Sequence, residues 1–326
     1  MILDLLWINL VVNYIVKTNN LVELQRDLLN EFNKCNINTN KKFLIGVSGG
    51  PDSMWLLNLL KSLNIVVAHV NYNKRYDSNY DESLVSRFCA DNNIPLEILS
   101  LHNKYSSGNF QAIARKERYD FYFEVSKKYQ CDYILLAHQK DDFLESSIMQ
   151  ENSNRKPLFW GIKQLSVLNN NIIFRPMLNL WTKQEIIDFC NEYSILFATD
   201  YTNAETHYTR NKIRSNLKKL DPEQKQNKYQ FFVNKNIENE HIEKQVLESF
   251  EDWKNNQFNV DKLDKNFAYI DQLLFYTLNH FYNNLKLSLN KIHGIKDFLF
   301  SQNRTKNFKL NDEQYIHKIK NLLIFK

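Results

Sequence analysis

Glycine and proline are scarce in this chain, six and five residues respectively in 326. A sequence so poor in conformationally permissive residues gives weight to any place where two glycines stand together. Cysteine is rarer still: Cys35, Cys89, Cys131 and Cys190 lie far apart and form no C-x-x-C pair. That excludes a disulfide framework and a zinc ribbon, and it fits a reducing, cytoplasmic compartment. A large charge of one sign is also missing. The formal net charge is +5, so any nucleic-acid surface has to come from local clustering. No apolar run reaches the ~20 residues a membrane span needs. The most apolar stretch, Met1 to Val12, is broken by Asp4 and Asn9 and has neither a basic lead nor a small-residue cleavage site. It is expected to be a packed helix or an extended translation start, with no signal peptide and no membrane partner.

The adjacent glycines lie in Phe43-Leu44-Ile45-Gly46-Val47-Ser48-Gly49-Gly50-Pro51-Asp52-Ser53, followed by Met54-Trp55-Leu56-Leu57-Asn58-Leu59-Leu60. A β-prone run enters a turn and a leucine-rich helical run leaves it, which reads as strand, loop, helix. Without Cβ atoms at Gly49 and Gly50 a bulky anion can approach the backbone, and the N–H groups opening the next helix face it with the positive end of the dipole behind them. Ser48 and Ser53 add hydroxyl donors, and Asp52 adds a carboxylate suited to a phosphate-bound magnesium. The plainer alternative is an ordinary βα turn with a helix cap at Asp52 or Ser53.

With 43% hydrophobic residues the chain can bury a core, and its length allows two domains. Ile65 to Val70, Leu96 to Leu101, Tyr133 to His138 and Ile172 to Met177 read as further strands. Helices over Asp81 to Asn92, Phe110 to Tyr129, from Asp141, and over Thr182 to Tyr193 alternate with them, the last capped by its threonine. The fold class expected is α/β, a doubly wound parallel five-stranded sheet, followed by a smaller, mainly helical C-terminal domain. Asn169-Asn170-Asn171 is a hairpin-like turn before the fifth strand. Residues 1–40 form an N-terminal helical extension, 41–220 the α/β domain and 221–326 the second domain, with the boundary placed at a helix-stopping Pro222. That second domain reads as helical from Tyr229 to Phe300 and ends in short strands through Leu322 to Phe325.

Ligands of such sheets bind beyond the carboxyl ends of the strands, where Ser48 to Ser53, His69 and the stretch His138 to Glu145 converge. Asp142 and Glu145 stand three apart on one helical face, placed to clamp a cationic amine or take its proton; Asp141 and Glu145 serve equally by spacing. Acidic residues at this point also complement a helix dipole. His69 and His138 end strands, where histidine is either a hydrogen-bonded structural residue or a site residue. Arg115, one turn from Arg118 among aromatics, has the fork geometry that suits phosphate. Arg210, Arg214 and Lys218 form a basic stripe opposite Ile213 and Leu217, suited to phosphates of RNA or to solvent. Lys291, Lys296, Arg304, Lys306 and Lys309 add positive charge further on.

Ser48-Gly49-Gly50-Pro51-Asp52-Ser53 resembles the S-G-G-x-D-S signature of the N-type ATP pyrophosphatases, the PP-loop family, and lacks the Lys-Ser/Thr ending of a Walker A loop. His69-Val70-Asn71-Tyr72-Asn73-Lys74-Arg75 is similar to H-V-N-H-G-L-R, and Ala114-Arg115-Lys116-Glu117-Arg118-Tyr119 to A-R-x-x-R-Y. Ala137-His138-Gln139-Lys140-Asp141-Asp142-Phe143-Leu144-Glu145-Ser146 is similar to A-H-H-x-D-D-x-x-E-T, Arg175-Pro176-Met177-Leu178 to R-P-L-L, and Tyr208-Thr209-Arg210-Asn211-Lys212-Ile213-Arg214 to Y-x-R-N-x-I-R. Together, from Phe43 to about Leu220, these resemble the tRNA(Ile)-lysidine synthase family. Gln139, Tyr72-Asn73 and Glu151-Asn152-Ser153-Asn154-Arg155-Lys156 depart from its pattern.

The resemblance implies a Rossmann-like PP-loop catalytic domain and a ligase that uses ATP and Mg2+ to adenylate C2 of the wobble cytosine of a CAU-anticodon tRNA(Ile). Free L-lysine then displaces AMP. It further implies that Ser48, Gly49, Gly50, Pro51, Asp52, Ser53 and His69 bind the nucleotide, and that Asp52 meets the metal. Asp142, Glu145, His138, Arg210 and Arg214 would bind lysine or tRNA, and Asp52, Asp142 and Arg115 are the expected catalytic residues. The second domain is expected to contact the tRNA, and a homodimer is kept open. Other classes carried are another PP-loop adenylating enzyme, a tRNA thiolase or small-molecule amide synthetase, and a non-catalytic ATP- and RNA-binding module. The absence of a C-x-x-C pair weighs against thiolation.

Overall fold

The opening strand is buried at every position, and its alternate residues serve two different cores. In the computed structural model the chain is described over residues 2–73, 78–101, 110–153, 157–198, 208–282, 285 and 287–325, without the side chains of 2–16, 19, 78, 110–112, 208 and 209. Lys74, Arg75 and the stretch 154–156 of the sequence motifs lie outside the described residues. The first elements are α1 (Ile2–Lys34), β1 (Phe43–Gly46), α2 (Pro51–Leu60), β2 (Ile65–Asn71), α3 (Ser78–Asp91), β3 (Leu96–Ser100), α4 (Phe110–Tyr129), β4 (Tyr133–Leu136) and α5 (Lys140–Asn152). There follow β5 (Leu165–Leu168), β6 (Asn171–Phe174), α6 (Lys183–Glu192) and α7 (Tyr208–Lys219).

The strands run in the order β3-β2-β1-β4-β6-β5, parallel except for β5. Side chains alternate across a strand, so Phe43, Ile45, Ile65, Val67, Leu135 and Phe174 join a core with Leu28 and Phe32 of α1, Trp55 of α2, Val85 of α3 and Ile186 of α6. Their neighbours Leu44, Val66, Ala68, Ile134 and Ile173 pack instead against Tyr119, Tyr122 and Val125 of α4. Helices on both faces make this the doubly wound sheet that the strand and helix alternation implies.

Among the described residues the sheet has six strands, one more than the expected five. β5 pairs antiparallel with β6 across Asn169 and Asn170, whose φ values of 47° and 62° are the left-handed pair that a tight hairpin needs and that asparagine tolerates. Leu165, Val167 and Leu168 are exposed on this edge strand, so no buried face marks it in the sequence. No helix among the described residues is long and apolar enough to cross a membrane.

By contacts the chain divides into two compact units, 1–143 with 163–217, and 144–162 with 218–326. The second unit contains α8 (Pro222–Asn255), α9 (Ile270–Phe281), α10 (Leu289–Leu299) and a small antiparallel sheet of β7 (Lys306–Lys309), β8 (Tyr315–Ile319) and β9 (Leu322–Phe325). Pro222 opens a helix and does not stop one. It sits at the first turn of α8 behind Asp221, which forms a reciprocal capping box with Gln224; the missing N–H of proline costs nothing there. Val246, Phe250, Leu273, Leu274, Ile295 and Ile316 fill this unit's core. The buried Lys318 of β8 donates to the carbonyls of Phe298 and Leu299 at 2.9 and 3.0 Å, satisfying the C-terminal carbonyls of α10. Residues 157–161 belong to this unit because Asn236 of α8 grips both the N–H and the carbonyl of Trp160, at 2.6 and 3.0 Å, and the Trp160 ring lies on Phe232.

Candidate active site

The glycine loop leaves β1 with its shape fixed by close approach. A Cβ at Gly46 would stand 2.7 Å from the Tyr122 ring, and Gly49 has φ +86°, with Asp81 close behind it. Gly50 caps α2 and Pro51 opens it. Within the loop the buried Ser53 hydroxyl accepts the N–H of Ser48 at 3.1 Å and donates to the carbonyl of Gly50 at 2.9 Å. Ser53 is therefore spent on bracing the loop, whereas Ser48 is exposed at its lip, 3.2 Å from the Ser53 hydroxyl.

Asp52 lies on the first turn of α2, and Lys183, first residue of α6, reaches it: Nζ is 2.7 Å from Oδ2. Oδ1 of Asp52 is buried with no hydrogen-bond partner. Burial raises the Asp52 carboxyl above its ordinary value against the pull of Lys183; Asp141 adds to the rise and Arg214 opposes it. Lys183 was not among the residues singled out by sequence. Thr182 and Glu185 form the capping box that sets the start of α6 and so aims Lys183.

Asp141 and Asp142 both take up backbone donors. Asp142 Oδ2 accepts the N–H of Gln139 at 3.0 Å, while Gln139 Oε1 accepts the N–H of Asp141 at 2.6 Å, a reciprocal cap on α5. Asp141 Oδ2 accepts the N–H of Lys183 at 3.1 Å, so it caps α6 as well. The dipole-complementing reading thus has a geometric basis at both aspartates. Glu145, one turn further along the same helix, is buried and is counted with the second unit.

His69 is buried, with Nδ1 2.9 Å from the carbonyl of Val47 and Nε2 without a partner. The ring therefore carries its proton on Nδ1, and burial lowers its pKa. Burial also drives His138 down to about 3, helped by Arg175, Arg115, Arg118 and Arg210. All four arginines thus bear on His138, just past the carboxyl end of β4. Arg115 is exposed and lies over the Tyr119 ring at 4.7 Å, with Nη2 3.2 Å from its hydroxyl. Arg175 is buried; its Nη1 donates to the carbonyl of Lys163 at 2.9 Å and to the Ser166 hydroxyl at 3.0 Å. On α7, Ile213 and Leu217 are buried while Arg210 and Arg214 are exposed, the division of faces expected from the sequence. Arg214 bears electrostatically on Asp52 and Arg210 on His138. In the second unit Lys291 donates to the Leu310 carbonyl and Lys309 pairs with Asp312, so these two cations are engaged internally.

A PP-loop domain model matches residues 20–221. The chain is 41% identical to the tRNA(Ile)-lysidine synthase of Mycoplasmopsis pulmonis (strain UAB CTIP), over 86% of this chain and 98% of that one. The chain belongs to the tRNA(Ile)-lysidine synthase family. Two more lysidine synthases, of Malacoplasma penetrans (strain HF-2) and Mesomycoplasma hyopneumoniae (strain 232), are 37% and 34% identical, over 86% and 87% of this chain and 96% and 95% of theirs. Among solved structures, a U34-tRNA thiolase, NcsA, from Methanococcus maripaludis with its [4Fe-4S] cluster overlays with a TM-score of 0.53 at 17% identity, covering 65% of this chain and 78% of that one; this likeness is one of fold. Burial raises the thiols of Cys89 and Cys190 to about 12 and that of Cys131 to about 11, the reverse of what an activated sulfur nucleophile needs.

Proposed function

We propose that this chain adenylates C2 of the wobble cytosine of the CAU-anticodon tRNA(Ile) with ATP and joins free lysine to it, giving lysidine, AMP and pyrophosphate. The observation that carries the reading is the Asp52–Lys183 pair at the glycine loop, a carboxylate and an ammonium where a pyrophosphate has to be released. In the first step cytosine O2 bonds to the α-phosphorus as the bond to the β-phosphate oxygen breaks. Charge grows on the leaving pyrophosphate, which the N–H groups from Ser48 to Ser53 and the Lys183 ammonium are suited to receive. In the second step the lysine amine bonds to C2, AMP leaves with the electron pair, and the amine loses a proton to a carboxylate, for which Asp142 is our assignment. Glu145 is the second carboxylate assigned to the amine. Arg115, Arg175, Arg210 and Arg214 supply charge for the phosphates of ATP and RNA. His69 and His138, both held neutral, act as hydrogen-bonding groups and not as cations.

A magnesium ion fits the donor set. Asp52 Oδ1 is buried without a partner, and no cluster of three or more metal-ligating side chains occurs among the described residues. One carboxylate plus phosphate oxygens and water is what magnesium favours, and the ion would neutralise charge on the departing pyrophosphate. Free lysine as co-substrate, a tRNA-contacting role for residues 221–326 and a cytoplasmic setting complete the proposal. The test is labelled lysine, ATP and magnesium with the CAU tRNA(Ile), set beside an elongator methionine tRNA that shares the anticodon. Lysine incorporated into the first and not the second supports it, and pyrophosphate release that ignores tRNA defeats it.

A further inference from the structure

Glu31 is an acidic residue on α1 whose side chain is almost wholly removed from solvent, 1% exposed. A carboxylate so placed is costly unless its oxygens are bonded. Here Oε1 receives Lys34 Nζ at 2.5 Å, and Oε2 receives Gln164 Nε2 at 2.7 Å and Asn179 Nδ2 at 3.5 Å. The other end of the Gln164 amide accepts from the Cys35 thiol at 3.6 Å, so this side chain is held at one end by α1 and at the other by the residue that follows it.

Gln164 stands at the open mouth of the β5–β6 hairpin. Its own carbonyl accepts the N–H of Arg175 at 2.9 Å, directly across the mouth. Its near neighbours in the chain supply two of the acceptors of the Arg175 guanidinium, the Lys163 carbonyl and the Ser166 hydroxyl, and the Tyr119 side chain of α4 is a further partner. β6 is held by the cores through Ile173 and Phe174, but β5 is a short edge strand with exposed apolar residues and little burial to hold the segment that leads into it. We propose that Glu31 is a positioning residue for the reaction: through Gln164 it fixes segment 163–166 and thereby the direction in which the Arg175 guanidinium points. The proposal rests on the reading of Arg175 as a working cation of the site.

The experiment is a double-mutant cycle in the full-length enzyme, with tRNA-dependent lysine incorporation and thermal melting measured on the same preparations. Glu31→Gln and Arg175→Lys are expected each to lower kcat/KM, the former by roughly fivefold to tenfold, the scale of one lost or misdirected hydrogen bond. The double variant is expected to be no slower than Arg175→Lys alone, because the route from Glu31 to the chemistry is already cut. Leu28→Ala loosens the same helix without touching Gln164, and it is expected to lower the melting temperature while leaving kcat/KM near wild type. Gln164→Ala is expected to repeat the Glu31→Gln effect. Losses that multiply in the double variant, a fully active Glu31→Gln, or a Leu28→Ala enzyme as slow as Glu31→Gln at equal melting temperature each overturn the proposal by itself. A fully active Arg175→Lys enzyme overturns it together with the reading of Arg175.

Discussion

Lys183 Nζ stands 2.7 Å from Oδ2 of Asp52, leaving Oδ1 of the same carboxylate buried and without a partner. The pair ties one oxygen to a protein cation and leaves the other unbonded inside the fold. If Lys183 follows the pyrophosphate, Lys183→Met removes a donor aimed at developing charge and is expected to slow tRNA-dependent pyrophosphate release by about a hundredfold, the usual scale for one such donor. The loss should fall on kcat/KM for ATP and leave KM for lysine unchanged. An equal rise in both KM values would count against the assignment. Asp52→Asn is expected to abolish activity without lowering the melting temperature. Burial raises the Asp52 pKa, so the ionised group costs stability above that pKa and an amide relieves the cost.

The sequence carries the frame of the molecule because alternation in β1, β2, β4 and β6 divides residues between two cores, and that is a local pattern. It carries the glycine loop for the same reason, since the strand, the φ-permissive pair and the helix start are neighbours. It does not carry Lys183. That residue is 131 positions from Asp52 and reaches it only because the Thr182 cap fixes the start of α6 beside α2. Nor does it carry β5, whose Leu165 and Val167 face solvent, or the place of 157–161 in the second unit, where Asn236 holds the Trp160 backbone. Proline at position 222 has opposite meanings inside a helix and at its first turn, and the Asp221–Gln224 box decides for the latter.

Asp141 and Asp142 are adjacent, and both serve as helix caps, yet their expected effects separate. Asp141 accepts the N–H that opens α6, so Asp141→Ala should cost about 1 kcal/mol of stability through the lost cap. Asp142→Asn keeps an oxygen for the Gln139 N–H, so the melting temperature should hold while KM for lysine rises. Titrating lysine against both variants, with melting curves alongside, distinguishes the two. Unchanged lysine kinetics in Asp142→Asn would remove the assignment of the amine to that carboxylate.

The histidines make the fold acid-sensitive. An imidazole in the unfolded chain takes up its proton near pH 6.5, whereas His138 in the fold resists until about 3 and His69 is also lowered. Below pH 6.5 the unfolded chain therefore binds more protons than the native one, so the stability these residues contribute is whole above that value and drains away as the pH falls. Melting temperatures followed downward from neutrality should decline, and His138→Gln should flatten the decline. Parallel curves for the two proteins would mean that His138 is not the proton-excluding group. Activity should show no loss attributable to deprotonation of either ring near neutrality, because neither is charged there.

Arg210 and Arg214 share one exposed face of α7, anchored by Ile213 and Leu217 beneath, and they bear on different parts of the site, His138 and Asp52. If both contact phosphates of the tRNA, each change to alanine should weaken binding and reduce the slope of log affinity against log salt by about one. Their effects on catalysis should differ. Arg214 opposes the rise in the Asp52 pKa, so its removal leaves that carboxylate harder to ionise and shifts the acidic limb of the pH–rate profile upward. Arg210→Ala should leave that limb in place. Measuring the salt slope together with the pH profile therefore separates an RNA contact that is only a grip from one that also sets the charge of the catalytic loop. Identical pH profiles for the two variants would confine Arg214 to the grip alone.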